Sequence, residues 1–265
     1  MPCLLVGVLN VTPDSFSDGG RYVSVDDAIN AGARMVDDGA DWLDIGGEST
    51  RPRSQPVPQS EEIARVVPVL SGLCARLGDR ARLSIDTYKS GTAGAALAAG
   101  ATIVNDISGG LLDPALLGVA ADAGAAVVLG HLRGEPATMM DAIAFDDVVA
   151  DVGAELEARI AAARAAGLRE IWADPGIGLG KRAEHSLALL RALPALGARW
   201  RVPVMVGVSR KSFIGQITGK PAHERIFGTA AAVAACVAGG ASAVRIHDVA
   251  EMRDVVRVAE ALKNA

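Results

Sequence analysis

Short apolar runs of the chain repeatedly end in an ionisable or amide side chain. Asp86, Asn105, Asp174 and Arg245 each stand at the end of such a run, and any one of them could cap a helix or close a turn. A packing requirement does not explain the recurrence, whereas a barrel of parallel strands brings the residues at its strand ends to one face. The pattern therefore predicts one cavity lined by carboxylates, an amide and a cation.

Arg245 and His247 are separated by one residue on a predicted strand. Side chains two positions apart leave the same face of a strand, so both point either into the barrel or into the surrounding helices. An unpaired arginine buried among helices is costly. The pair therefore favours a place in the cavity, opposite an anionic or planar partner.

Two adjacent cations follow a further apolar run, in the segment Ser209-Arg-Lys-Ser212. Such a pair is usually solvated at the surface, but the exit of the seventh strand of a barrel is a common phosphate site, which favours an anionic substrate. The loops over residues 10–20 and 46–52 are rich in Asn, Asp, Ser, Pro and Gly, and alone they indicate no more than turns. Beside the second loop, Asp44 and Glu48 could simply cap backbone groups.

The elements that must position these residues follow from short apolar runs that alternate with longer Ala-rich stretches of helical periodicity, in eight βα units. The predicted strands are Leu4 to Leu9, Trp42 to Ile45, Arg82 to Ile85, Thr102 to Val104, Ala126 to Leu129, Ile171 to Ala173, Val204 to Val206 and Ala243 to Ile246. The predicted helices are Val25 to Asp38, Ser60 to Leu77, Ser90 to Ala99, Asp113 to Ala123, Asp146 to Ala166, Ala183 to Ala192, His223 to Ala238 and Val249 to Leu262. Several helices end in Gly-Ala, as at Gly39-Ala40 and Gly124-Ala125, where glycine can adopt the left-handed cap that leads into the next strand. We therefore predict an α/β protein with a single (β/α)8 barrel of the TIM type over residues 1–265.

The composition excludes several classes of protein. Half of the residues are apolar and 22% are charged, so the chain can bury a sizeable core. A net charge of −5 provides no basic field for nucleic acid. Cys3, Cys74 and Cys236 are odd in number and far apart, which is typical of core residues in a reducing compartment. With no basic leader and no apolar run long enough to span a bilayer, we expect a cytoplasmic protein that binds neither membranes nor nucleic acid.

Seven segments, in order along the chain, resemble motifs of the dihydropteroate synthases, folate-pathway enzymes of the pterin-binding barrel class. They are Asn10-Val-Thr-Pro-Asp-Ser-Phe-Ser-Asp-Gly-Gly20, Gly46-Gly-Glu-Ser-Thr-Arg-Pro52, Ser84-Ile-Asp-Thr87, Asn105-Asp-Ile-Ser108, Asp174-Pro-Gly-Ile-Gly178, Ser209-Arg-Lys-Ser-Phe213 and Arg245-Ile-His-Asp248. One such match could arise by chance, and seven in order hardly could. The resemblance implies a transferase that condenses 6-hydroxymethyl-7,8-dihydropterin diphosphate with p-aminobenzoate, giving 7,8-dihydropteroate and diphosphate.

The resemblance also implies roles for individual residues. The implied pterin-binding set is Asp86, Asn105, Ile107, Asp174, Gly207, Lys211 and Arg245. The implied diphosphate-binding set is Asn10, Arg245 and His247, with Asn10 also a ligand of Mg²⁺, a cation that prefers oxygen ligands and phosphates. The implied aminobenzoate-binding set is Thr50, Pro52, Leu179, Lys211 and Ser212. Catalysis is implied for Asp86, Lys211, Arg245 and His247, and closure of the loops over the complex for Asp14, Phe16, Asp18 and Arg51.

In this class the bond to diphosphate ionises first and the aniline nitrogen then attacks, so stabilising the leaving charge matters more than a strong base. The resemblance also implies a homodimer formed through the last helices. Three positions depart from the usual pattern: Leu179 replaces a common Phe, Gly130 a common Met and Ser186 a frequent Asn. The alternatives are a methyltetrahydrofolate-dependent methyltransferase, which does not need the segments 209–211 and 245–247, and a pterin-binding paralogue without turnover.

Overall fold

The computed structural model describes residues 2–12, 24–51, 53–141 and 143–265, and in them eight strands alternate with helices. The strands are β1 (Leu4–Asn10), β2 (Trp42–Gly46), β3 (Arg82–Asp86), β4 (Ile103–Asp106), β5 (Ala126–Gly130), β6 (Ile171–Asp174), β7 (Met205–Gly207) and β8 (Ala243–Ile246). The helices are α1 (Val25–Asp37), α2 (Gln59–Leu77), α3 (Ser90–Ala98), α4 (Ala115–Asp122), α5 (Val148–Ala165), α6 (Ala183–Arg191), α7 (Leu193–Trp200), α8 (Ser212–Thr218), α9 (Ile226–Ala238) and α10 (Val249–Asn264). Short 3₁₀ turns occupy Gly78–Arg80 and Ala222–Glu224.

The strands form one parallel sheet in the order β6-β5-β4-β3-β2-β1-β8-β7. A parallel bridge between Ala173 and Val204 joins the two ends of this order and closes the sheet into a barrel. The predicted (β/α)8 barrel is therefore confirmed. Within the described ranges, no helix is long and apolar enough to cross a membrane.

Alternation along the strands separates two apolar layers. Leu43, Ile45 and their counterparts on other strands pack outward against the helices. Trp42, Val128 and Trp172 belong to a second cluster, which fills the inside of the barrel at its lower end. The inward positions above that cluster are polar, for example Asp44, two residues after Trp42. The apolar lower half thus supports a polar upper half at the carboxyl ends of the strands.

The predicted Gly-Ala helix ends are confirmed. Gly39 and Gly124 have φ of 112° and 65°, a region that strongly favours glycine. At each site the alanine that follows donates its backbone N–H to a carbonyl of the last helical turn, as from Ala40 to Met35 at 2.9 Å. These caps satisfy carbonyls that the helix leaves open and turn the chain towards the next strand.

The observed strands differ from the predicted ones mainly at their carboxyl ends. Six of the eight continue one or two residues beyond the predicted end, so that Asp86, Asn105 and Asp174 belong to the sheet ladder rather than to loops. A seventh, β7, is shifted along the chain by one residue and takes in Gly207. The prediction ended strands where the apolar run ended, but parallel backbone pairing does not depend on side-chain polarity.

Two helices were not predicted. Helix α7 starts directly after Ala192, with a proline in its first turn, where the missing N–H does no harm. The predicted helix ended at Ala192, one residue before α7 begins. Helix α8 has only 7 residues, too few for a helical pattern to be recognised in the sequence.

The lower end of the barrel is closed by an aromatic and ionic contact. The rings of Trp42 and Trp172 meet edge to face, with centroids 4.8 Å apart. The guanidinium of Arg82 lies over Trp42 and donates to Glu170 at 2.6 Å, while the Trp172 indole N–H donates to the same carboxylate at 3.0 Å. The buried area of the two indole rings and the hydrogen bonds to Glu170 together stabilise this layer.

Replacing Trp172 by alanine should lower the free energy of unfolding by about 3–5 kcal/mol, because the large cavity left behind cannot collapse. Urea denaturation followed by circular dichroism measures the change. Leu111→Ala is the control, since Leu111 is 59% exposed and its loss should cost less than about 0.5 kcal/mol. A Trp172→Ala variant as stable as this control would contradict the assignment of the aromatic layer.

Candidate active site

A cavity opens at the carboxyl ends of the strands, where the sequence predicted it. Nine predicted site residues line this cavity: Thr50, Asp86, Asn105, Ile107, Asp174, Leu179, Gly207, Lys211 and Arg245. Gly130, Gly176 and Ile177 complete the lining. Because these residues stand at or after the carboxyl ends of seven of the eight strands, the barrel accounts for their convergence.

The centre of this cavity is an ion pair between Arg245 on β8 and Asp44 on β2. Arg245 Nε donates to Asp44 Oδ2 at 2.5 Å, although β1 lies between the two strands. Asp44 is 1% exposed and also accepts from Asn105 Nδ2 at 2.9 Å and from the Ser84 hydroxyl at 2.6 Å. These side-chain contacts account for Asp44 better than the capping role that its sequence context suggested.

A second carboxylate contacts the same guanidinium. Arg245 Nη2 donates to Asp86 Oδ2 at 2.6 Å, while Oδ1 of Asp86 is buried and has no partner among the described residues. Burial raises the pKa of Asp86, which the charge of Arg245 only partly offsets. Burial alone would lower the pKa of Arg245, but Asp44 and Asp86 together raise it above its ordinary value. The cavity therefore holds a permanently charged guanidinium and one carboxylate oxygen open to a hydrogen-bond donor.

Lys211 and Asp174 face the same cavity. Asp174 ends β6 and accepts the backbone N–H of Gly176 at 2.7 Å. Lys211 stands before α8, and burial lowers its pKa while Asp174 opposes that shift. No hydrogen bond of its ammonium group occurs within the described part of the chain, so the group is available to a ligand.

The other cation of the Arg-Lys pair has a structural partner. Arg210 Nε donates to Asp248 Oδ2 at 3.0 Å, and Arg210 Nη2 contacts the second oxygen of that carboxylate. Only Lys211 of the two therefore lines the cavity. The sequence could not separate the two cations, because strand pairing decides which of them meets Asp248.

The loop after β2 is fastened by Glu48. Its Oε2 accepts the backbone N–H of Val57 at 3.0 Å, and its Oε1 accepts the Tyr88 hydroxyl at 2.7 Å. Lys89 contacts Glu48 and donates to Glu62 at 2.8 Å. The capping interpretation of Glu48 agrees with the first of these bonds, and the loop is held so that Thr50 reaches the cavity.

The loop after β6 is fastened by a lysine that the sequence analysis did not assign. Lys181 is 2% exposed, and its ammonium group bonds His131 Nδ1 at 3.0 Å and the carbonyl of Leu179 at 3.0 Å. His131 is fully buried, which lowers its pKa to about 2, and its Nε2 contacts Glu155 at 3.0 Å. Since Leu179 lines the cavity, this contact sets one of its walls. Nothing in the sequence distinguishes Lys181 from the adjacent Arg182, so no sequence signal indicates this role.

Several predicted residues lie near the cavity without lining it. Asn10 ends β1 and is half-buried, with its Oδ1 towards Gly46. His247 follows β8 and is half-buried, whereas Arg51 and Ser212 are exposed. The predictions for Asp14, Phe16, Asp18 and Pro52 fall outside the described residues.

Two of the three positions that depart from the usual family pattern, Gly130 and Leu179, lie in well-defined surroundings in the described residues. A Cβ at Gly130 would lie 2.6 Å from Ile107 Cα, so the backbone of Ile107 occupies the space of the methionine that is common there. Leu179 packs against an apolar cluster that contains Ile107, Leu132 and Met139. The wall of the cavity at Leu179 is thus aliphatic.

A parallel barrel with carboxylates and cations at its strand ends is typical of enzymes that bind their substrates in this cavity. Comparisons with known proteins identify the family. The pterin binding enzyme family matches residues 6–247. The dihydropteroate synthase of Synechocystis sp. is 44% identical over 261 residues, which cover 97% of this chain and 89% of that protein. The structure of Yersinia pestis dihydropteroate synthase with a sulfonamide drug complex superposes with a TM-score of 0.93 at 38% identity, covering 100% of this chain and 95% of that one. Xanthomonas albilineans dihydropteroate synthase with 4-aminobenzoic acid gives 0.92 at 42% identity, covering 100% and 94%. The chain belongs to the pterin-binding enzyme family.

Replacing Asp44 by asparagine should leave Arg245 with one carboxylate instead of two and lower kcat/KM for the enzyme's reaction about 100-fold, the cost of losing one strong electrostatic contact in a buried site. Steady-state kinetics measures the loss, and circular dichroism checks the fold. Asp37→Asn is the control, because the Asp37–Arg80 pair is on the surface and should not affect the rate. Equal kcat/KM in the two variants would contradict the central role of Asp44.

Proposed function

We propose that the chain condenses 6-hydroxymethyl-7,8-dihydropterin diphosphate with p-aminobenzoate and releases 7,8-dihydropteroate and diphosphate, as a dihydropteroate synthase. The observation that carries the proposal is the composition of one cavity, in which an unpartnered carboxylate oxygen of Asp86 stands with the cations Lys211 and Arg245. The dihydropteroate synthases that resemble the chain over almost its full length support the same reaction.

The carboxylates suit recognition of the pterin. The edge of this ring system presents several N–H donors, and Asp86 Oδ1 is a buried acceptor without a partner in the described residues. Asp174 ends the strand two places from Asn105 in the sheet, and both side chains line the same cavity. The planar guanidinium of Arg245, fixed at both ends by carboxylates, is suited to stack on the flat ring.

The cations suit departure of the diphosphate. Negative charge grows on the leaving oxygen as the carbon–oxygen bond breaks, and Arg245 and His247 would stabilise that charge. Lys211 would bridge the pterin and the aminobenzoate. The aniline nitrogen is neutral at pH 7 and already nucleophilic, so the site needs no strong base.

A magnesium ion fits this chemistry as a companion of the diphosphate. Asn10 offers one amide oxygen at the end of β1, and no group of three or more His, Cys, Asp or Glu in the described ranges could hold a metal by itself. Such a donor set suits Mg²⁺, which in phosphate chemistry takes most of its ligands from phosphates and water. When bound, Mg²⁺ would neutralise charge on the diphosphate.

The aminobenzoate would lie beside Thr50, Leu179 and Lys211, with Ser212 and Pro52 completing its site. Arg51, Asp14, Phe16 and Asp18 would close over the bound substrates and exclude water. Sulfonamides would compete for the same place, with an affinity that depends on the aliphatic Leu179. The comparisons do not favour the alternatives of a methyltetrahydrofolate-dependent methyltransferase or a pterin-binding protein without turnover.

The test incubates the purified chain with Mg²⁺, the pterin diphosphate and p-aminobenzoate, and measures dihydropteroate and released diphosphate. We expect both products in equal amounts. Lys211→Ala should lower kcat/KM at least about 100-fold while keeping the fold, because it removes a charge from the reacting centre. Lys220→Ala, which removes a half-exposed surface lysine, is the matched control with unchanged turnover. No product from the wild-type chain at high enzyme concentration would overturn the proposed function.

We also propose that the chain forms a homodimer through α9 and α10. Phe227 is 84% exposed, and Val258 and Leu262 on α10 are 61% and 74% exposed. A groove between these helices is lined by small and apolar residues, among them Ala234, Ala238 and Val255. Apolar patches of this kind commonly mark protein interfaces. A cytoplasmic location would suit Cys3, Cys74 and Cys236, which are all free thiols.

The double variant Val258→Glu, Leu262→Glu should be monomeric, because buried charges without partners oppose association. Light scattering on a size-exclusion column gives the mass directly. Leu187→Glu on α6 introduces the same charge at a residue that is 38% exposed and should remain dimeric. A wild-type chain that is monomeric at high concentration would contradict the proposed dimer.

A further inference from the structure

Ser209 and His247 form a contact that the proposed reaction does not yet use. Ser209 follows β7, His247 follows β8, and the Ser209 hydroxyl oxygen lies 2.9 Å from His247 Nδ1. The same oxygen accepts the backbone N–H of His247 at 3.2 Å. Ser209 is 5% exposed, so water does not readily replace either bond.

The hydroxyl has one proton to donate, and a buried donor requires an acceptor. Among the described residues, Nδ1 of His247 is the one acceptor within hydrogen-bond distance of that proton. A hydroxyl that donates to Nδ1 leaves the ring proton of a neutral imidazole on Nε2. We propose that Ser209 is a positioning residue that holds His247 in the tautomer protonated at Nε2.

The charges around His247 favour a neutral ring. The pKa of His247 is lowered to about 4, first by burial and then by the nearby cations Arg245 and Arg210, which Asp248 only partly offsets. A neutral ring has only one N–H, so the tautomer decides which nitrogen can donate. Within the described residues Nε2 has no partner, which leaves its N–H for a ligand.

The backbone that carries Ser209 is fixed by its neighbours. The N–H of Arg210 donates to Thr229 Oγ1 at 3.1 Å, and Arg225 Nη1 donates to the carbonyl of Arg210 at 2.9 Å. The ion pair of Arg210 with Asp248 fastens this segment to the residue after His247. These contacts hold the segments of Ser209 and His247 against each other, which favours a single tautomer.

The effect of this contact on the reaction rate rests on the proposed function. The Nε2–H would donate to the diphosphate, and the bond would strengthen as negative charge grows on the leaving oxygen. Ser209 would then act on kcat through His247 without touching either substrate.

The first experiment observes the tautomer directly by two-bond ¹H–¹⁵N spectra of the ¹⁵N-histidine-labelled full chain at pH 7.5. The chain has 4 histidines, and His247 is assigned from the signal missing in His247→Gln. We expect one tautomer, protonated at Nε2, in the wild type and an exchange average of both in Ser209→Ala. A wild-type ring protonated at Nδ1, or the same spectrum in both proteins, would overturn the proposal. Because the spectrum does not depend on turnover, failure of this proposal can be distinguished from failure of the proposed function.

The second experiment is a kinetic cycle in the dihydropteroate assay. Ser209→Ala should lower kcat on the order of tenfold, as the loss of an orienting partner usually does, with KM for p-aminobenzoate unchanged. Ser209→Thr, which keeps the hydroxyl, should restore most of the rate. In the His247→Gln background, Ser209→Ala should cost nothing more, because the residue it orients is gone. The same loss in both backgrounds would show that Ser209 does not act through His247.

Discussion

The active site depends on one buried ion pair, between the guanidinium of Arg245 and the carboxylate of Asp44. Neither charge could stay buried alone, since each loses its hydration at a cost of several kcal/mol. The contact is tolerated because Asp44 also accepts from Asn105 and Ser84 and Arg245 also donates to Asp86. This network joins four strands of one barrel and holds Asp44 and Arg245 in one geometry, while one oxygen of Asp86 stays open.

Because of this network, some polar groups of the cavity are fixed by other side chains, while others remain available to a ligand. Arg245 is held on two sides, whereas Asp86 retains an open oxygen and Lys211 an ammonium group without a hydrogen-bond partner in the described residues. Two buried contacts outside the network hold the loops: Glu48 fixes the segment before Val57, and Lys181 fixes the segment that carries Leu179. A reaction that needs no strong base depends on charges that are already in position before the substrates bind. The barrel and these tethered loops hold the charges of this site in such positions.

Much of this arrangement could be predicted from the sequence. Period-two alternation placed Arg245 and His247 on one face, and the repeated polar strand ends predicted that Asp86, Asn105 and Asp174 converge. What could not be predicted is which side chains meet across the barrel. Asp44 looked like a cap because nothing local shows that a strand far along the chain brings Arg245 to it. Likewise, Arg210 and Lys211 are equivalent in the sequence, and only Asp248, two residues after β8, distinguishes them.

The crystal structure of the chain with the pterin diphosphate bound tests the central claim most directly. We expect the pterin to lie in the strand-end cavity, one of its N–H groups to donate to Asp86 Oδ1, and Arg245 to remain hydrogen-bonded to Asp44. A pterin bound elsewhere, or an Arg245 side chain that leaves Asp44 unpaired in the complex, would contradict this claim.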